Sequence, residues 1–350
     1  MYSRKISSPP ASIIKNGRAE FGTYKGISQK LDIKGMRAPY AGVPLPSFIS
    51  KLRIKSRLNY LFQTEKFIGM TEFFDLKVFG TVQVIFWDKQ TGKKYSYFCF
   101  MGPRKRIIPV YTTAGTCVCS RKTRYTKVFW GRNHEHLAMK FNVKGDSNRP
   151  DASASFFSPA DSKNHTDYLF VNPSPASSRC SATWFSTMEI QGKININRKE
   201  EDNSKGIAAL AVNRTYIKFH SISTHVWGMG KIKDKNVVFQ LRSSNLDAAD
   251  QDRYNENILI VDGKETALPS IVITHPFGID KSWIIQDTES MVDLTFEPVS
   301  INKRDRNIIA MRTSYTTIYG NFTGVLLDSE GNKINLKNFP GIINRNLLRL

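Results

Sequence analysis

Long hydrophobic runs are missing from this 350-residue sequence. The longest stretch without a charged side chain, Thr313 to Leu327, is 15 residues studded with Thr, Tyr and Gly. A spanning helix needs about 20 apolar residues, so no membrane span is expected. Cysteine is scarce: Cys99, Cys117, Cys119 and Cys180 are the only four, and no C-x-x-C pair occurs. A thiol redox motif and a Cys-based zinc site are therefore unsupported. On a strand, Cys117 and Cys119 would project from one face about 6–7 Å apart, beyond disulfide reach. So few thiols fit reduced, intracellular packing. Walker A, G-x-G-x-x-G, G-x-S-x-G and H-E-x-x-H patterns are all absent, which removes the usual nucleotide, hydrolase and metalloprotease signatures. No apolar stretch follows Met1, so no secretory signal is expected. The first 19 residues are basic and acid-free like an organelle presequence. Pro9-Pro10 would break its helix, however, and the chain is headed by Met1, so no cleaved leader is expected.

Acid is the other shortage. Asp and Glu number 30 against 51 Lys and Arg, a formal net charge of +21 with a pI near 9.8. The excess is localised: residues 1–60 carry a net +10 and residues 101–145 a net +9, while the rest is nearly neutral. Such sorting marks a contact surface for something acidic. What is plentiful is apolar side chain, 40% hydrophobic and 11% aromatic. That is enough for a real core and excludes wholesale disorder.

Residues 1–50 hold Pro9, Pro10, Pro39, Pro44 and Pro46 with little periodicity and read as an extended basic arm, expected to be held against a partner. From Leu52 the texture turns β. The run Phe73–Trp87 reads as a strand that ends in the turn Asp88-Lys-Gln-Thr-Gly92, with Tyr95, Tyr97 and Cys99 alternating on the return. Strands follow at Val237–Leu241, Asn257–Val261, Lys264–Leu268, Met291–Phe296, Ile308–Ser314 and Thr316–Leu327, with Asp262-Gly263 as a tight turn. Helical periodicity is nearly absent, with a turn or two at Asn245–Arg253 and a short terminal helix at Gly341–Leu350. The pattern predicts an all-β, antiparallel sandwich or barrel. A polar linker at 198–205 divides it into halves of residues 51–200 and 206–350.

Chemistry-bearing clusters are few. His134 and His136 flank Glu135 and would share a strand face, half a metal site without an assignable third ligand, so no metal is expected. Asp247, Asp250, Asp252 and Glu256 do not fit an EF-hand and read as a solvated loop. Tyr111, Tyr125, Phe129 and Trp130 interleave with Arg121, Lys122, Arg124 and Lys127, a composition suited to single-stranded nucleic acid. Strand alternation, however, splits Tyr125, Lys127 and Phe129 from Arg124, Thr126, Val128 and Trp130.

Several segments carry a family resemblance. Glu72-Phe-Phe-Asp-Leu-Lys-Val-Phe-Gly-Thr-Val-Gln-Val-Ile-Phe-Trp-Asp-Lys-Gln-Thr-Gly92 is similar to the first signature of domain of unknown function 2804. Asn255-Glu-Asn-Ile-Leu-Ile-Val-Asp-Gly-Lys264 resembles its second. Met291–Pro298, Tyr319–Gly324 and Phe339-Pro-Gly341 follow in the family's order, and Phe21-Gly-Thr-Tyr24 resembles its lead-in. The resemblance implies two lipocalin-like (calycin) antiparallel barrels side by side. It also implies kinship with AttH-like proteins, hydroxyneurosporene synthase-type hydratases and fungal Diels–Alderases, in which an apolar pocket orients a hydrophobic molecule. The family's glycine-rich loop before Glu256 is here the bulkier, charged Ser243–Tyr254, which implies an altered or closed cavity.

These features predict a non-enzymatic structural component of a multi-protein assembly, without cofactor. It would dock through its basic elements on an acidic polymer, with tubulin in the microtubule lattice of a flagellar or ciliary axoneme preferred. The contact candidates are Arg4, Lys5, Lys15, Arg18, Lys25, Arg104, Lys105, Arg106, Arg121, Lys122 and Arg124. The expected location is intracellular, in the cytoplasm or cytoskeleton. A second reading makes the partner RNA in an organellar ribonucleoprotein. A third keeps a lipocalin-like role, binding or isomerising a hydrophobic small molecule, with Trp184, His225, Trp227 and Trp283 as candidate pocket residues.

Overall fold

A computed structural model of the chain describes residues 2–40, 46–102, 107–131, 137–159, 165–197, 199–308 and 311–349. It is almost wholly β, with one six-residue helix at Ser47–Leu52 among the described residues. The first sheet is a ten-strand antiparallel path with three further strands attached. It starts at Lys94–Met101 and runs back through Gly80–Asp88, Phe67–Asp75 and Ile54–Thr64. It then crosses to Lys199–Tyr216 and Cys180–Ile196, and ends through Ala152–Phe157, Leu137–Val143, Arg124–Trp130 and Gly115–Arg121. The two end strands come together, so this sheet is a nearly closed barrel. The second sheet has nine strands. From Lys264–Ala267 it passes through Ile258–Val261, Lys235–Ser244, His220–Ile232 and Lys333–Arg349 to Met311–Leu327, Val292–Ile308, Trp283–Asp287 and Ile271–Thr274. It curls into a half-barrel beside the first.

Period-two alternation explains where the core sits. In Lys199–Tyr216, Ala208, Leu210 and Val212 point into the first barrel and pack on Phe62, Phe86, Phe141 and Trp184. The half-barrel has its own core of Phe239, Phe296, Phe322 and Trp283. A third layer joins the two bodies: Leu61, Ala209, Ala211 and Phe185 meet Trp227, Met229, Val238 and Ile342. Strands at this interlayer are buried on both faces, as Phe67–Asp75 is along its whole length.

Several local expectations change. Phe73–Trp87 is two strands, Phe67–Asp75 and Gly80–Asp88, joined by a tight turn in which Lys77 takes φ 76°. Ile308–Ser314 and Thr316–Leu327 are not separate strands; Met311–Leu327 is continuous because both its neighbours pair along its full length. Gly341–Leu350 is not helical, for residues 341–349 complete the strand Lys333–Arg349 and send Ile342 and Ile343 into different layers. Residues 199–205 are no linker but part of the strand Lys199–Tyr216, which forms a β-hairpin with Cys180–Ile196, and the chain changes sheets between Tyr216 and His220. The turn at Asp262-Gly263 forms as expected, with φ 46° and 79°, the paired positive values a two-residue hairpin needs.

The basic arm lies on the body. Ile6–Ser7 pairs with Gly22–Lys25, which in turn pairs with Thr166–Pro173 of the first barrel. Arg4 donates from Nη2 to the Asn257 carbonyl at 2.9 Å and from Nη1 to the Asn255 side chain, both in the second half.

Candidate functional site

Two central strands of the first sheet, Ile54–Thr64 and Lys199–Tyr216, place Arg57 opposite Asn213 and Asn59 opposite Ala211. In the second sheet, His220–Ile232 and Lys235–Ser244 place His225 opposite Arg242 and Trp227 opposite Gln240. These positions all lie on the faces turned toward the interlayer, because their sequence neighbours fill the two barrel cores. Polar side chains from both bodies therefore converge at one end of an otherwise apolar layer. They enclose a cavity of about 80 Å³ lined by Lys55, Arg57, Asn213, His225, Arg242 and Glu256, with Trp227 and Phe74 as apolar wall. Leu246, from the loop that resemblance marked as bulky, lines it too and joins Phe74, Ile217 and Leu348 in a small apolar cap.

Inside, an ion pair is buried. Arg242 Nη1 sits 2.7 Å from Glu256 Oε1, and the Thr183 hydroxyl donates to the same oxygen at 2.9 Å. Asn213 donates in turn to Thr183 Oγ1 at 2.7 Å, so a first-barrel chain of polar groups ends on a second-body carboxylate. Asp247 adds a second acid 3.6 Å from Arg242. Burial works against the Arg242 charge, but Glu256 and Asp247 more than offset it and raise its pKa. Burial pushes the Asp247 carboxyl up despite the nearby guanidinium and the Ser244 N–H. The other Glu256 oxygen, Oε2, is buried with no hydrogen-bond partner among the described residues. Trp227 Nε1 donates to Gln240 Oε1 at 3.1 Å, and His225 stacks on Trp227 at 5.4 Å and 16°.

Two bases on this wall have shifted pKa values. Burial, then the charges of Arg242 and Arg57, hold His225 well below the usual imidazole range, so it is neutral near pH 7. Burial, then Lys77, lowers Lys55 to about 8, and its Nζ donates to the Leu76 carbonyl at 2.7 Å. Next to the cavity Arg57 lies 3.5 Å from Glu72 and donates to the Tyr315 hydroxyl at 3.1 Å, while Arg304 approaches Glu72 at 3.8 Å. This second ion cluster ties the two bodies on the same flank.

Of the four candidate pocket residues, His225 and Trp227 lie at the cavity. Trp184 is inside the first barrel, edge-on to Trp130 and bonded to Asp167 Oδ1 at 2.8 Å. Trp283 fills the half-barrel, its Nε1 donating to the Ile279 carbonyl at 3.1 Å. Arg242 and Glu256 were not among the candidates, and Glu256 was read as part of a solvated cluster. The available signal was Gln240 inside the apolar Val237–Leu241 segment and Arg242 just after it, two residues apart and so on one strand face.

The proposed contact cations among the described residues differ in their surroundings. Arg4 is bonded into the second body, and burial lowers its pKa. Lys25 pairs with Glu265 at 2.8 Å. Arg124 bonds the Thr123 carbonyl at 2.9 Å and lies over the Tyr97 ring. Lys5, Lys15, Arg18, Arg121 and Lys122 are exposed. Arg104, Lys105 and Arg106, like His134 and His136, lie outside the described residues. Among the described residues no group of three or more His, Cys, Asp or Glu is placed to hold a metal ion, and no helix is long and apolar enough to cross a membrane.

Residues 5–349 match the family described as Domain of unknown function (DUF2804). The chain belongs to the DUF2804 family. No curated protein matches its sequence. Among solved structures, an AttH-like chain from Nitrosomonas europaea shares the fold over 91% of this chain and 99% of its own, at 9% identity and a TM-score of 0.50. Kievitone hydratase from Nectria haematococca aligns over 84% of this chain and 88% of its own, at 8% identity and a TM-score of 0.39. CghA aligns over 83% and 87% respectively, at 10% identity and a TM-score of 0.37. The DUF2804 chain thus has the two-barrel, lipocalin-like architecture its signatures implied. The expectation of a non-enzymatic, microtubule-docking component is overturned, and with it the cilium, axoneme and cytoskeleton assignments. Neither the family match nor the fold shared with the Nitrosomonas chain points to a cytoskeletal component. Within the chain itself, the arm meant for a lattice has its own body as its partner.

Proposed function

We propose that this DUF2804 protein binds a small, largely apolar molecule carrying a hydroxyl or carbonyl group in the interlayer cavity, and transfers a proton on it. Glu256 Oε2 carries the reading: a buried carboxylate oxygen on a cavity wall, left without a partner, is a vacant acceptor for a ligand hydroxyl. Arg242 and Thr183 hold the other oxygen and keep the carboxylate oriented. Trp227, Phe74 and Leu246 supply the apolar wall. His225, neutral and facing the same space, exchanges the proton. Addition or loss of water, or double-bond isomerisation, needs this combination of an acceptor and a proton shuttle in one largely apolar site.

Phenol and toluene, nearly equal in shape, test the reading by ligand-observed NMR on the full chain. Phenol should bind at least about 10-fold more tightly, the value of a hydrogen bond to a buried charge. Glu256→Gln should erase the difference, and His225→Gln should leave it in place. Equal binding of the two probes, or an unchanged preference in the Glu256→Gln variant, would refute the role given to Glu256.

A further inference from the structure

The first barrel has an open seam. Its ten-strand path begins at Lys94–Met101 and ends at Gly115–Arg121, and among the described residues no backbone ladder joins these two edges. Nine antiparallel pairings separate them, so the edges run antiparallel where they meet. Cys99 on one and Cys119 on the other bring their sulfurs within 3.3 Å across that seam. Each position is fixed by its inner neighbour, Cys99 opposite Val82 and Cys119 opposite Thr126. None of the four cysteines is in a disulfide. The remaining two are poor candidates for oxidation. Burial pushes the Cys117 thiol far up and that of Cys180 to about 12. Cys99, by contrast, is half-exposed.

We propose that Cys99 and Cys119 are a redox modification site, oxidised by hydrogen peroxide to a disulfide that closes the barrel seam. The Cys99 thiolate attacks one peroxide oxygen, breaking the O–O bond and leaving a sulfenic acid and hydroxide. The Cys119 thiolate then attacks Cys99 Sγ, forming the S–S bond and expelling a second hydroxide. The two thiol protons convert both hydroxides to water. Two electrons leave the sulfurs and two enter the peroxide. The sulfurs must close from 3.3 Å to about 2.05 Å, a shift of less than 1 Å for each.

The test treats the native full chain with hydrogen peroxide, then alkylates and digests it. Alkylatable thiols in the unfolded product should fall from four to two, the intact mass should drop by two hydrogens, and one linked peptide pair should join Cys99 to Cys119. The melting temperature should rise by about 5 °C and return to its starting value with dithiothreitol. Cys99→Ser, close in size, should keep the fold and lose both the mass change and the gain in melting temperature. Four thiols surviving treatment, Cys99 advancing to sulfinic acid without a link, a link between any other pair, or the same thermal gain in Cys99→Ser would each overturn the site.

Discussion

The interior of the first barrel and the layer between the two bodies are built by opposite faces of the same strands, yet they are furnished differently. The inward face of Lys199–Tyr216 carries Ala208, Leu210 and Val212 into a packed aromatic core. Its other face carries Ala209 and Ala211 into apolar contact and then Asn213 into a polar cavity. The barrel core is filled by large aromatic side chains, whereas the interlayer keeps a cavity where two surfaces meet imperfectly. The polar groups there come from both bodies, and neither could complete the site alone.

Matched truncations test that contrast most strongly. Trp184→Ala in the barrel should cost about 4 kcal/mol in urea unfolding, within the range for deleting a buried aromatic. Trp227→Ala, beside an existing cavity, should cost about half as much. Equal losses would mean that the interlayer is packed as tightly as the barrel. Next in size is Arg242→Met, which strands the Glu256 charge and should cost about 3 kcal/mol. Adding Glu256→Gln should recover most of that loss, and a double variant no better than the single would argue against a coupled pair.

A pH titration comes third. Lys55 is lowered to about 8 in the folded chain, against about 10.4 in an unfolded one. Between those values the unfolded chain binds more protons, so stability rises with pH across that window. Wild type minus Lys55→Met should show a rise on the order of 2 kcal/mol from pH 7.5 to 10. A flat difference would mean that Lys55 is solvated. The smallest effect belongs to the surface pair: Lys25→Ala should cost below about 1 kcal/mol and vanish in high salt, as exposed ion pairs do.

The class of fold was legible because alternation and turn chemistry are local: Asp262-Gly263 and the all-β texture both follow from neighbouring residues. Of the site, His225 and Trp227 were legible and the other polar groups were not, for a physical reason. In an isolated sheet, Arg57, Asn59, Gln240 and Arg242 are the polar half of ordinary amphipathic strands and would face solvent. Here a second body covers that face, and nothing in one strand announces that cover. Charge misled in the same way. The clustering of +10 in residues 1–60 pointed to a foreign polyanion, whereas Arg4 and Lys25 find their partners in the chain's own second half.

The attachment of Arg4 to Asn255 and Asn257 also sets an order of events during synthesis. At about 5–20 residues per second, the segment carrying Arg4 waits roughly 12–50 s before the chain reaches its acceptors. The first barrel has all its strands once Tyr216 has emerged, so it can close while Arg4 still lacks its acceptors. Arg4 is thus made 251 residues ahead of Asn255 and is secured only after that partner emerges. A tag or fusion placed ahead of Arg4 would act on this docking step rather than on the barrels themselves.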